Sequence, residues 1–317
     1  MVAKNEIIVL FTPVHTGTHF VRMLLESHPA IGVSIGEDFR VDSRFRPDNV
    51  LPGSGMGSLH PTPGSTWNDN SEPMILQYFN QLLRNEIAVD RFREILQYWQ
   101  GVFTEETRPS TNFEYHLTRV RRQFGGLGIK ICPKQQAYLL FRAHCHREHV
   151  GFDFRELATQ CRLICTVRHP LRTILTVLRR EPPDNVQSTI DDFLQAAKCV
   201  FSLTGAFHFC TDLWQASPSK MKTLFSFLEL PTFSATEQFL SLRPRINKTV
   251  SKNEVHGTHN YCFEFNHSPE FLEVLREANN SLEENRVHPV LAPHWESIKK
   301  AGLVDEYEAL GYGLRSL

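Results

Sequence analysis

Residues 6–20 decide the fold, and they read EIIVLFTPVHTGTHF. Residues 7–11 are an uninterrupted apolar run of the length expected for a buried strand. Pro13 ends this run, and the small and hydroxyl residues Thr16-Gly17-Thr18 follow it. Apolar residues then recur with helical spacing at Phe20, Val21, Leu24 and Leu25. This segment predicts a strand, a tight turn and a helix.

The predicted turn has the chemistry of an anion-binding loop. Backbone amides of Thr16, Gly17, Thr18 and His19 can approach an anion at the start of the helix, where the helix dipole favours negative charge. The turn lacks the G-x-x-x-x-G-K-[ST] pattern, so it offers neither a Walker lysine nor a signature for nucleoside triphosphate hydrolysis. A plain strand-to-helix turn capped by hydroxyl groups is the alternative interpretation.

Short apolar runs continue along the chain and alternate with helical patterns. Strands are predicted at 31–35, 127–132 and 163–167, and helices at 75–100, 171–178, 188–210 and after Ser217-Pro218. This alternation predicts an α/β fold with a central, mostly parallel sheet flanked by helices, and ligands bound outside the carboxyl ends of its strands. We expect one domain over residues 1–317, with a loop-rich and helical insertion at about 40–125.

Composition excludes several classes of protein. The 317 residues carry 34 Lys and Arg against 35 Asp and Glu, so no basic excess favours nucleic acid or an anionic membrane. No apolar run approaches the roughly twenty residues of a membrane span, and residues 7–11 are too few for a signal-peptide core. We therefore expect a soluble, cytoplasmic protein whose seven cysteines, without a CxxC pair, are reduced. The oligomeric state leaves no signal in the sequence.

A second anion-binding turn follows the strand predicted at 163–167. Arg168 ends that strand, and Thr176 lies eight residues later on the next helix. The Arg168 guanidinium can form a forked pair of hydrogen bonds to a phosphate while the Thr176 hydroxyl donates to it. Two such turns, each after a parallel strand, indicate a ligand with two separated phosphates.

These stretches resemble the sulfotransferase family, which transfers a sulfuryl group from 3′-phosphoadenosine 5′-phosphosulfate (PAPS) to a hydroxyl or amine. Residues 15–20, HTGTHF, resemble the family's 5′-phosphosulfate loop, and residues 168–176 resemble its 3′-phosphate motif. Residues 209–213 and 227–231, FCTDL and FLELP, are similar to two weaker family stretches. The motif style is closest to bacterial and heparan-type members. The resemblance implies a P-loop NTPase-like architecture, PAPS as co-substrate and no metal.

The resemblance also implies roles for single residues. The amides of residues 16–19 and the Thr18 hydroxyl would hold the 5′-phosphosulfate, and Arg168 and Thr176 the 3′-phosphate. The family's loop lysine is replaced here by His15, and Lys130, at the end of the predicted third strand, resembles a lysine found there in many members. His15 and Lys130 are therefore expected to stabilise the transferring charge.

Glu37 is the predicted base that takes the proton of the acceptor. It follows the His28-Pro29 pair at the spacing of the catalytic glutamate in heparan-type sulfotransferases. Cytosolic members instead use a histidine shortly after the third-strand lysine, but Cys132 and Pro133 follow Lys130. That histidine is therefore predicted to be absent.

Two other functions stay open: a nucleotide kinase on the same fold, and a nucleotide-binding relative that lost turnover with the loop lysine. Arg245 and Lys248 are either further 3′-phosphate contacts or a solvated charged run. The histidine-rich residues 144–149 are interpreted as a polar helix end rather than a metal site. The acceptor itself, a hydroxyl or amine compound, cannot be read from the sequence.

Overall fold

A single parallel sheet forms the centre of the molecule. The computed structural model describes residues 6–36, 74–100, 121, 124–125, 128–130, 137–215, 217–241 and 267–317. Within them the sheet has five strands in the order β2-β3-β1-β4-β5, and every neighbouring pair is parallel. The strands are β1 (Glu6–Thr12), β2 (Ile35–Gly36), β3 (Tyr138–His144), β4 (Arg162–Val167) and β5 (Phe207–Cys210).

Helices flank this sheet. They are α1 (Thr18–Glu26), α2 (Met74–Leu83), α3 (Val89–Gln100), α4 (Arg155–Gln160), α5 (Pro170–Arg180), α6 (Pro183–Ser202), α7 (Thr211–Gln215), α8 (Pro218–Phe227), α9 (Ser234–Ser241), α10 (Pro269–Glu283), α11 (Ala292–Lys300) and α12 (Val304–Ala309). The predicted α/β class with a parallel sheet is confirmed. Across the described ranges, no helix combines the length and apolar character needed to cross a membrane.

Both faces of the sheet are buried. Ile7 and Val9 of β1 belong to a core cluster with residues of α5 and α6, whereas Ile8 and Leu10 belong to a second cluster with residues of α1 and α8. A strand covered on both faces needs apolar residues at every position. This explains why residues 7–11 are an unbroken apolar run.

The third strand differs from the prediction. Residues 128–130 form a turn and irregular backbone rather than part of a strand, and β3 at Tyr138–His144 pairs with β1 along its whole length. The prediction was wrong at 128–130 because β3 contains the charged Arg142, which breaks the apolar pattern of a buried strand.

Two predicted helices end earlier than expected. Asn85 has a φ of 58°, and this left-handed residue separates α2 from α3 in the stretch predicted as one helix at 75–100. The helix predicted at 188–210 stops at Ser202, and a turn through Gly205, with a φ of 81°, leads into β5. The predicted start at Ser217-Pro218 is confirmed by α8.

The helices of the predicted insertion take part in the core. The Phe79 ring of α2 and the Phe92 ring of α3 lie 4.8 Å and 5.1 Å from the Phe141 ring of β3, measured between centroids. These contacts cover the β3 side of the sheet. The early part of the insertion, residues 40–73, lies outside the described residues.

Candidate functional site

The candidate site lies at the carboxyl edge of β1 and β4, which are neighbours in the sheet. The helix after β1 packs on one face of the sheet, and the helix after β4 packs on the other. Connections that leave two neighbouring strands toward opposite faces open a crevice between them. The two predicted anion-binding turns border this crevice.

The turn after β1 has a backbone shape that suits an anion. His15 has a φ of 59° and Gly17 a φ of 94°, so two of its residues are left-handed. Gly17 is the N-cap of α1, and the first backbone N–H groups of a helix have no partner within it. A Cβ on Gly17 would lie 2.4 Å from Thr211 Cγ2. Glycine is therefore required here by both the backbone angle and the space.

The threonine hydroxyl groups of this turn stabilise it through buried hydrogen bonds. Thr16 Oγ1 donates to the backbone oxygen of Pro13 at 2.7 Å and lies 2.5 Å from Thr166 Oγ1. Thr18 Oγ1 lies 2.8 Å from Thr12 Oγ1. Thr16 and Thr18 are both buried. Thr16 therefore offers its backbone amide rather than its hydroxyl to a ligand. His19 is the second residue of α1, directly after Thr18.

Arg168 and Thr176 come together as the sequence predicts. Arg168 Nη1 donates to Thr176 Oγ1 at 2.9 Å, and the Thr176 hydroxyl in turn donates to the backbone oxygen of Arg172 at 3.0 Å. Arg168 Nη1 also donates to the backbone oxygen of His15 at 3.2 Å. Among the described residues, Arg168 Nη2 has no hydrogen-bond partner, which leaves its two N–H groups for a ligand.

Thr211 and Asp212, at the end of β5, join the two turns. Thr211 Oγ1 lies 2.5 Å from the backbone oxygen of Thr16 and 2.8 Å from that of Val167, a shared-donor arrangement. Asp212 accepts from Arg168 Nε at 3.3 Å. Sequence reasoning gave neither residue a role, because their partners are known only once the strand order is known. The weak similarity of residues 209–213 was their only signal.

His15 has an acidic neighbour. His15 Nε2 lies 3.6 Å from Glu181 Oε1, and Glu181 follows directly after α5. The hydrogen bond with His15 lowers the pKa of Glu181, although partial burial of the carboxyl opposes the shift.

Four further residues were given roles by the sequence analysis, namely Lys130, Glu37, Arg245 and Lys248. Lys130 is exposed and lies outside the sheet. Glu37 follows the last residue of β2 and lies outside the described residues, as do Arg245 and Lys248. The roles predicted for these four residues therefore remain predictions.

The end of β3 supplies two residues that the sequence analysis did not assign. His144 is in register with Thr12, the last residue of β1, and His144 Nδ1 lies 3.3 Å from the Thr12 backbone oxygen. Arg142 is buried on the same face of the strand, with Nη2 3.1 Å from His144 Nε2. Because Arg142 can only donate, His144 Nε2 accepts and Nδ1 carries the proton.

His144 is neutral near pH 7. Burial is the largest cause of a pKa lowered to about 4, and nearby His146 and His15 act in the same direction. A neutral imidazole beside an anion-binding turn can accept a proton. Sequence analysis gave His144 no role, because it placed the third strand at 127–132.

The rest of the histidine-rich run is not a helix end. Arg147–His149 is one short 3-10 turn, and His146 Nδ1 lies 2.9 Å from Asp192 Oδ2. Across the described ranges, no three histidine, cysteine or acidic side chains are placed to hold a metal ion. The five cysteines in those ranges are free thiols, and all are buried.

Comparison with known proteins gives a distant structural similarity. No family model matches the chain, and no curated protein sequence matches it significantly. Among solved structures, it is similar to a sulfotransferase from Mycobacterium avium at 15% identity, over 87% of this chain and 76% of that chain, with a TM-score of 0.33. A likeness this distant carries no functional argument, so function has to be argued from the site.

Proposed function

We propose that this protein is a sulfotransferase that moves the sulfuryl group of PAPS to a hydroxyl or amine acceptor. The observation that carries the proposal is the contact of Arg168 with both Thr176 and the backbone of His15. It brings two anion-binding turns of different chemistry to one crevice. A nucleotide with phosphates at its 3′ and 5′ positions requires such a pair of turns.

The turn after β1 is proposed to hold the 5′-phosphosulfate. Its fit rests on the left-handed His15 and Gly17, on the absent Cβ at Gly17 and on the N–H groups at the start of α1. The braced hydroxyls of Thr16 and Thr18 keep this backbone fixed. A turn that is already ordered binds an anion without the additional entropy cost of ordering the loop.

Arg168 and Thr176 are proposed to hold the 3′-phosphate, with the Thr176 hydroxyl turning from the Arg172 backbone oxygen to donate to it. The guanidinium offers the two N–H groups of Nη2, and charge-assisted hydrogen bonds of this kind are about twice as strong as neutral ones. An ordinary nucleoside di- or triphosphate has no group for this second turn. The arrangement therefore favours a 3′-phosphorylated nucleotide over ADP or ATP.

In the transfer itself, the acceptor oxygen or nitrogen forms a bond to sulfur as the bond from sulfur to the 5′-phosphate oxygen breaks. The acceptor proton passes to a base of the protein, and the leaving phosphate keeps the electron pair. We propose His144 as this base, because it is neutral and lies beside the turn; it takes the proton on Nε2 when the Arg142 N–H group bonded there turns to the transferring group. Glu37 is the alternative base, as the resemblance implies.

The developing negative charge needs cations nearby. His15 stands in the loop position of the family's lysine, and its Nε2 lies 3.6 Å from the Glu181 carboxylate. Arg142, buried beside His144, is proposed in the role predicted for Lys130.

The experiment that tests this function is a calorimetric titration with adenosine 3′,5′-bisphosphate, AMP, ADP and ATP. We expect the bisphosphate to bind at least about tenfold more tightly than AMP, a difference of about 1.4 kcal/mol. ATP binding as tightly as the bisphosphate would contradict the proposal and favour a kinase. Tight binding without sulfuryl transfer to any phenol, alcohol or amine would favour a relative without turnover.

A further inference from the structure

We infer that Asp212 is a positioning residue that makes the site selective for a nucleotide with a second phosphate. This inference rests on the proposed function and adds a residue to it. Asp212 needs no contact with the ligand for this role, because it acts through Arg168.

Asp212 fixes the Arg168 side chain. An arginine side chain loses about 2 kcal/mol of rotamer entropy when it is immobilised. Asp212 Oδ1 accepts from Arg168 Nε at 3.3 Å, while Nη1 is bonded to Thr176 and to the His15 backbone. The guanidinium is thus held on two of its nitrogens before any ligand arrives. The remaining nitrogen, Nη2, is left for a phosphate, so much of the ordering cost is met by folding.

Asp212 also fixes the backbone that carries Arg168. Its second oxygen, Oδ2, accepts from the backbone N–H of His169 at 3.0 Å. The preceding residue, Thr211, is bonded to the backbone oxygens of Thr16 and Val167. Tyr312 Oη donates to the same Val167 oxygen at 2.9 Å. The position of Asp212 is therefore set by a rigid junction of three strand ends.

Removal of the Asp212 charge distinguishes two possible roles of this residue, because each role changes the affinity for the second phosphate in a different direction. The Arg168 and Asp212 side chains are 29% and 22% exposed, so the pair is only partly screened by water. If Asp212 merely competed with a phosphate for Arg168, its removal would tighten binding of the second phosphate. If Asp212 positions Arg168, its removal weakens that binding. The two effects have opposite directions.

The test compares Asp212→Ala and Asp212→Asn with wild type by calorimetric titration of adenosine 3′,5′-bisphosphate and AMP. The ratio of the two dissociation constants isolates the second phosphate. We expect Asp212→Ala to reduce the preference for the bisphosphate about tenfold and to leave AMP affinity within about twofold. Asp212→Asn retains one acceptor oxygen, so its loss should be smaller. It also replaces Asp212→Ala if that variant does not fold.

Asp153→Ala is the matched control, since it removes the carboxylate of another aspartate–arginine pair, Asp153–Arg155, on the surface. It should leave the ratio unchanged. An unchanged or increased preference in Asp212→Ala would overturn the inference and leave the proposed function standing. An equal loss of AMP and bisphosphate binding would also overturn it, because Asp212 would then support the whole site. A wild-type protein without preference for the bisphosphate would overturn the proposed function as well.

Discussion

Arg168 Nη1 donates to the backbone oxygen of His15 at 3.2 Å, so the side chain that follows β4 is bonded to the backbone of the turn after β1. The two residues are 153 positions apart in the chain and meet because β1 and β4 are neighbours in the sheet. A displacement of one turn is therefore expected to displace the other through this hydrogen bond.

Gly17→Ala should abolish donor binding. The new Cβ would lie 2.4 Å from Thr211 Cγ2, and alanine is strained at a φ of 94°. We expect loss of measurable bisphosphate binding and a lower free energy of unfolding, measured by calorimetry and by urea denaturation. Gly128→Ala is the matched control, because Gly128 also has a positive φ, 72°, but nothing lies within 4 Å of its Cβ position. That variant should show backbone strain alone and bind normally.

A second substitution separates the clash from other effects of Gly17→Ala. Thr211→Ser removes Cγ2 and keeps the hydroxyl that bonds to the Thr16 and Val167 oxygens. We expect the double variant Gly17→Ala/Thr211→Ser to regain part of the binding lost in Gly17→Ala. No recovery at all would argue that the clash is not the cause.

His144→Gln should lower turnover without weakening donor binding. Removal of a general base typically reduces the rate by roughly 10²–10⁴-fold, whereas His144 makes no proposed contact with the nucleotide. The measurement is transfer of labelled sulfuryl from PAPS to an acceptor found by screening, beside titration with the bisphosphate. Glu37→Gln is the companion variant and should reduce turnover less. The reverse order would assign the base to Glu37.

His15→Lys should raise turnover at pH 8 to 9. An ordinary lysine is charged in this range, whereas an ordinary imidazole is mostly neutral. We expect a gain on the order of tenfold, or about 1.4 kcal/mol in the barrier. Glu181→Gln, which removes the carboxylate 3.6 Å from His15, should lower turnover at pH 7. If His15→Lys binds the donor but shows no sulfuryl transfer at any pH, the protein is a nucleotide-binding relative that has lost turnover.

Stability should fall as the protein is acidified from about pH 6.5 to about pH 4. Burial is the main cause that lowers the pKa of both His144 and His169 to about 4. Between these pH values the unfolded chain binds protons at both histidines and the folded chain does not. Proton binding therefore stabilises the unfolded state and lowers the free energy of unfolding. Each unit of pKa difference corresponds to about 1.4 kcal/mol. The stabilisation is fully present above pH 7.

The variant His169→Asn checks this dependence. It keeps the backbone N–H that donates to Asp212 and removes one of the two titrating groups. Urea denaturation at pH 7 and pH 5 should show a smaller loss for the variant than for wild type. Equal losses in both proteins would contradict the assignment to His169.

Local signals made part of this fold predictable. Residues 6–20 encode β1, the turn and α1 within one contiguous stretch, and the apolar run, the glycine and the helical spacing agree. The pairing of Arg168 with Thr176 was predictable for the same reason, since the two residues lie eight positions apart in one contiguous stretch that includes the first turns of α5. Sequence alone therefore predicts the turn after β1 and the proximity of Arg168 to Thr176.

The other site residues depend on tertiary structure. β3 interrupts its apolar pattern with Arg142, a buried charge that no periodicity rule anticipates, so Arg142 and His144 were missed together. Thr211 and Asp212 receive their partners from the order of β1, β4 and β5 in the sheet. The contact of His15 with Glu181 likewise joins two distant parts of the chain. Such pairs become visible only when the strand order is known.

The most direct test of the central claim is a crystal structure of the protein with adenosine 3′,5′-bisphosphate. The account predicts the 5′-phosphate on the backbone N–H groups of residues 16–19 and the 3′-phosphate within hydrogen-bond distance of Arg168 Nη2 and Thr176 Oγ1. A nucleotide bound at the first turn with its 3′-phosphate in solvent, away from Arg168, would contradict it.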